Sequence, residues 1–168
     1  MSEKDLIFES KVKYVGVFSF KDFYKFCYDW LVDETGLTVV EKKYEEKILG
    51  DAKNIEAEWE CTKKVSDYFK FEIIVKFRLV NVTEVEVNLG GAKVKANKGE
   101  VNIAVKATLI KDYDGKWEVS PFKKFLRGTY EKWVIPSRIE QYKDKLKEQT
   151  EEFLAQAKAY LALESKLK

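Results

Sequence analysis

Three glutamates, Glu56, Glu58 and Glu60, alternate with Ala57, Trp59 and Cys61 in the stretch NIEAEWECT. Carboxylates supply the oxygen ligands that hard cations prefer. Residues two apart on a strand are separated by about 6.6 Å, too far for one tight cation site without further ligands. The favoured reading is a solvated sheet face whose carboxylates meet Lys or Arg across the ladder. Asp112, Asp114 and Gly115 begin like a calcium loop, but the later ligands and the closing Glu are missing, which leaves a hairpin turn. Gly90-Gly91 has neither a dinucleotide-binding nor a P-loop setting and also reads as a turn.

The chain contains no histidine. Imidazole acid–base catalysis, Ser–His–Asp and Cys–His nucleophiles and His-ligated zinc are therefore absent from its chemistry. Carboxylate, Lys or Tyr catalysis stays open, but no motif points to it. The expectation leans away from an enzyme, with no cofactor and no metal. Cys27 and Cys61 are far apart, sit in no CxxC context and fall on apolar faces, so they read as buried free thiols.

One segment is locally basic. Lys123, Lys124, Arg127, Lys132 and Arg138 face a single acid, Glu131, with Phe122, Phe125, Tyr130 and Trp133 interleaved. Such a mixture describes an amphipathic helix whose rings dock on a sheet while Lys and Arg snorkel. It also suits an acidic partner or an anionic surface. Single-stranded nucleic acid, bound by phosphate contact and stacking, is the least favoured reading.

The second unusual stretch is FSFKDFYKFCYDW at 18–30. On a helix, Phe23, Phe26, Cys27, Trp30 and Leu31 form one stripe, with Lys21, Lys25, Asp29 and Asp33 largely off it and Tyr24 and Tyr28 flanking it. The rings read as the wide buried face of a core helix, some of them also able to line a cavity. Ser19 with Asp22 marks its start and Gly36 its end, giving a helix over 19–35.

These segments sit in a chain of 168 residues, 45 % hydrophobic and 36 % charged, a globular composition long enough for one domain, 1–168, with a sizeable core. The formal net charge of +2 gives no global attraction to nucleic acid or anionic membrane. Residues 1–15 lack a signal-peptide apolar region, and no run of about eighteen apolar residues exists. The expectation is a cytoplasmic, reduced protein with no membrane span. Abundant Lys and Glu lean toward the mixed ion pairs of a thermophile's surface.

Period-two alternation predicts a first strand at 6–17, with Leu6, Phe8, Val12 and Tyr14 on one side, and antiparallel strands through 37–119. Within the latter, 37–49 is a charged edge strand, and 54–62, 67–79, 84–89 and 100–110 are half-buried. Turn residues at Leu49-Gly50-Asp51, Lys64 to Asp67, Gly90-Gly91, Asn97-Lys98-Gly99 and Asp112 to Gly115 imply a meander. A helical piece follows at 121–134. Ser137-Arg138-Ile139-Glu140 then opens a long helix over 137–166, with Ile139, Tyr142, Leu146, Phe153, Leu154, Ala157 and Leu161 as its stripe.

The expected class is α+β: a curved antiparallel sheet of about six to seven strands packed on a long C-terminal helix. That order resembles the START-like helix-grip superfamily, carried by the 6–17 strand, the FYKFCYDW helix, the alternating 54–110 strands and the last helix beginning PSRIEQY. The resemblance implies a hydrophobic small molecule or lipid held between sheet and last helix by a non-catalytic binding protein. Candidate lining residues are Trp59, Phe69, Phe71, Phe77, Tyr142, Leu146 and Phe153. The alternative is a structural or interaction protein that forms a homo-oligomer, or docks an acidic partner, through the last helix and the basic 121–138 segment.

Overall fold

The computed structural model describes residues 3–111, 113, 121–129, 132 and 136–165. Strand β1 (Glu3–Phe18) leads into helix α1 (Phe20–Thr35), followed by β2 (Thr38–Leu49), β3 (Ala52–Lys64), β4 (Phe69–Leu89) and β5 (Ala92–Lys111), then helices α2 (Pro121–Thr129) and α3 (Pro136–Ser165). The class is α+β, with an open antiparallel sheet in the order β1-β5-β4-β3-β2 and a long C-terminal helix. This topology is compatible with a helix-grip-like fold.

The sheet has five strands, not the expected six to seven. The surplus comes from dividing one strand at a bulge and from expecting a turn at Asn97-Lys98-Gly99 opposite it. The expected strands 67–79 and 84–89 are one strand, β4, which begins at Phe69 and whose ladder with β5 shifts register between Val80 and Thr83. Asn81 turns there with φ 54°, and its backbone N–H donates to the Asn54 side chain at 3.0 Å. Asn97-Lys98-Gly99 lies inside β5 opposite the bulge and is no turn. A Cβ on Gly99 would sit 3.0 Å from the Asn81 and Val80 carbonyl oxygens and the Val82 Cα, so glycine is what lets the bulged strand close in.

A second bulge corrects β1. Its register shifts between Leu6 and Phe8, so Ile7, Phe8, Val12 and Tyr14 pack on the core while Leu6 is 52 % exposed. The charged 37–49 segment is indeed an edge strand. Its Lys42 and Lys43 meet Glu60 and Glu56 at 3.7 and 3.0 Å, and Lys76 meets Glu58 at 3.9 Å, the cross-ladder pairing expected of that acidic face.

The α1 signals act as read. Ser19 caps the helix, its Oγ accepting from the Asp22 N–H, and Gly36 closes it in the left-handed region at φ 71° with its N–H on Val32 O. Phe23, Cys27 and Leu31 are buried, with Phe26 and Trp30 packed at the margin. Helix α3 spans 30 residues, about 45 Å. It starts at Pro136, whose fixed φ suits a first helical turn, so Ser137 lies within that turn and is not the cap. Ile139, Leu146, Phe153, Leu154, Ala157 and Leu161 are buried as expected, and Thr150 joins them with its hydroxyl donating back to Leu146 O. Both helices share one core with the inward residues of β3, β4 and β5.

Helix α2 departs from its expected docking. Phe122 and Phe125 are each 69 % exposed rather than seated on the sheet. The expected 121–134 segment is helical over Pro121–Thr129. Tyr130, Trp133, Glu131 and the Asp112, Asp114 and Gly115 turn lie outside the described residues. Among the described residues, no helix is long and apolar enough to cross a membrane.

Candidate functional site

The seven candidate lining residues divide between two places. Phe69 and Phe71 meet Tyr142 of α3, with ring centroids 5.1 and 6.1 Å apart. Leu146 and Phe153 continue along α3, fully buried, and Phe153 reaches Trp30 of α1. Trp59 and Phe77 lie elsewhere, edge to face at 4.7 Å, and are joined by Tyr24 of α1 rather than by α3.

Around Trp59 the structure opens. A pocket of about 670 Å³ lies between α1 and the edge strand β2. Helix α1 contributes Phe20, Tyr24 and Tyr28, one residue per turn, with Lys21 and Lys25 beside them. Strand β2 contributes Val39, Glu41 and Tyr44, and β3 supplies Trp59 as the inner wall. Phe20, Tyr24 and Tyr44 form a triangle of rings with centroid separations of 5.2, 6.0 and 6.5 Å, and Tyr28 leans edge-on to Trp59 at 6.1 Å.

The β2 face depends on an irregularity. In plain alternation, positions 41 and 44 would point to opposite sides. The register shifts between Glu41 and Lys43, so Glu41 pairs opposite Trp59 and Tyr44 opposite Ala57, both inward-facing positions of β3. One extra residue therefore brings a carboxylate and a phenol onto the same wall.

The polar groups form a directed chain. The Trp59 Nε1–H donates to the Tyr24 hydroxyl at 2.7 Å, and that hydroxyl donates to Glu41 Oε1 at 2.5 Å. Trp59 is only 2 % exposed, so its indole N–H needs this partner. Burial, with the Glu41 contact second, pushes the Tyr24 phenol well above its ordinary pKa, which keeps it protonated as a donor. Tyr44 donates to Glu46 Oε1 at 2.7 Å, and this bond holds the Glu46 carboxyl below its usual range. Lys25 is held by Asp29 at 2.7 Å. Among the described residues, no cation lies within ion-pair distance of Glu41.

Of the basic candidates, Lys123, Lys132 and Arg138 are exposed, while the side chains of Lys124 and Arg127 lie outside the described residues. Of these, Lys123, Lys132 and Arg138 do not line the pocket. The sequence reading found Trp59 alone of the pocket residues. Tyr24 and Tyr28 carried a signal as the aromatics left off the α1 stripe; Glu41 and Tyr44 carried none, because the bulge is invisible to a period-two count.

Both cysteines are free and buried. Burial pushes the Cys61 thiol up to about 12 and the Cys27 thiol up as well, the direction opposite to that of a reactive nucleophile. No family model matches the chain, and no curated protein or solved structure matches it.

Proposed function

We propose that the protein is a non-catalytic binding protein for a hydrophobic small molecule or lipid, held in the pocket between α1 and β2. The observation that carries this reading is the aromatic wall of Phe20, Tyr24, Tyr28, Tyr44 and Trp59 around about 670 Å³ of open volume. A volume of that order suits a small organic ligand, and an apolar lining with a few fixed polar groups is the usual character of such sites. The element order of sheet and last helix supports a START-like relationship. The same reading puts the ligand beside α1 and β2 rather than beneath α3, since Leu146 and Phe153 of α3 are buried in the core that both helices share.

A second reading, an interaction protein, is favoured at one place. Phe122 and Phe125 of α2 present exposed rings beside exposed Lys123, and such surfaces serve self-association or an acidic partner. Native mass spectrometry of the freshly purified full chain separates the two. A monomer carrying small-molecule mass supports the binding reading; a multimer without adduct sinks it in favour of the interaction reading.

A further inference from the structure

We infer that the α1–β2 pocket selects an organic cation, an alkylated or quaternary ammonium group, with Glu41 as its counter-charge and the aromatic rings as its cup. The inference rests on the binding reading above and goes beyond it by fixing the sign of the ligand's charge.

Three observations carry it. First, Phe20, Tyr24 and Tyr44 stand within 6.5 Å of one another and all line the cavity, together with Trp59 and Tyr28. Aromatic rings lining one pocket can attract a cation through their quadrupoles, and an ammonium carrying alkyl groups gives up little hydration on entering. Second, Tyr24 and Tyr44 each donate the phenol proton to a carboxylate, to Glu41 and Glu46. Such donation raises electron density on the phenol oxygen and its ring, which strengthens attraction for positive charge. Third, the Trp59–Tyr24–Glu41 chain runs one way and ends on a carboxylate in the pocket wall. Glu41 Oε1 is occupied by Tyr24, leaving Oε2 for the ligand, and no cation among the described residues neutralises it.

Two lysines at the rim act against a cation. Lys25 is already compensated by Asp29 at 2.7 Å. Lys21 and Glu41 are both exposed, so water and salt screen the two charges alike, and the opposition of Lys21 is what its substitution measures.

The test compares three ligands of one shape by titration calorimetry of the full chain at low ionic strength. They are choline, its uncharged carbon isostere neohexanol, and the anion tert-butylacetate. Choline is expected to bind at least about tenfold tighter than neohexanol, within the range of cation–π and ion-pair contributions, with tert-butylacetate weakest. Glu41→Gln is expected to collapse the choline-to-neohexanol ratio toward unity, and Lys21→Gln to raise it. Glu41 is exposed, so its substitution leaves the core intact. Equal or tighter binding of neohexanol or tert-butylacetate overturns the charge selection but leaves the pocket reading standing. Failure of all three ligands alongside saturable binding of neutral phenylnaphthylamine does the same. Failure of every ligand and of that probe overturns both.

Discussion

Replacing Tyr24 by Phe removes one oxygen from the molecule and keeps its ring. That ring contacts Phe20, Tyr44, Trp59 and Phe77 at centroid distances between 4.7 and 6.0 Å, so packing is retained. What is lost is the acceptor for Trp59 Nε1–H, on a side chain 2 % exposed. A buried donor left without a partner costs about 1–3 kcal/mol, whereas the Tyr24–Glu41 bond, on an exposed carboxylate, is worth about 0.5–1 kcal/mol. Tyr24→Phe is therefore expected to destabilise the protein by about 2–3 kcal/mol, lowering Tm by about 3 °C per kcal/mol in a chain of this length. Urea unfolding followed by far-UV circular dichroism measures the loss. The diagnostic is a double-mutant cycle with Trp59→Phe, which removes the indole donor itself. In that background Tyr24→Phe should lose only the bond to Glu41, giving a coupling of at least about 1 kcal/mol. Equal losses in both backgrounds would show that the Trp59–Tyr24 bond does not hold the pocket wall.

Three further outcomes are expected. Leu146→Ala truncates a fully buried side chain beneath α3 and should lower unfolding free energy by about 2–5 kcal/mol in urea titration; a loss under about 1 kcal/mol would mean that α3 is not seated on the core. Gly99→Ala places a Cβ 3.0 Å from the β4 backbone and should cost about 1–3 kcal/mol by thermal melting, while an unchanged Tm would refute the close approach of the bulge. Stability should also fall at alkaline pH. Cys27 and Cys61, ordinarily near 9.0, and Tyr24, Tyr44 and Tyr160, ordinarily near 10.0, all have folded-state pKa values raised chiefly by burial, Cys61 and Tyr160 to about 12. The folded state then holds protons that the unfolded chain releases, so this stabilisation is intact below pH 9 and drains away as pH rises toward 12. Urea midpoints that stay level between pH 8 and pH 11 would contradict the raised folded-state pKa values of these groups.

The fold was legible where one local signal sufficed. Ser19 and Gly36 bounded α1, the α3 stripe named its buried face, and the charges of 37–49 marked the edge strand. It was illegible at the bulges. Asn81 and Gly99 have the composition of turn residues, and only the tertiary ladder reveals that one bends β4 while the other lets it approach β5. The same physics hid the pocket. Trp59 was found through its burial pattern, but its partners Glu41 and Tyr44 reach one wall only because Lys42 is an extra residue in the β2 ladder. In the sequence Tyr24 is only a flank of the α1 stripe, and its role becomes visible with Trp59 and Glu41 on either side of it. On α2 the amphipathic pattern was real, yet periodicity does not say whether a sheet lies beneath it.

The most direct test of the central claim is a fluorescence titration of the full chain with neutral phenylnaphthylamine, repeated on Val39→Trp, which fills the pocket from the β2 side. Saturable enhancement at one probe per chain in the wild type, abolished in the variant, is the predicted result. Absence of binding, or equal binding by both proteins, would contradict a ligand site between α1 and β2.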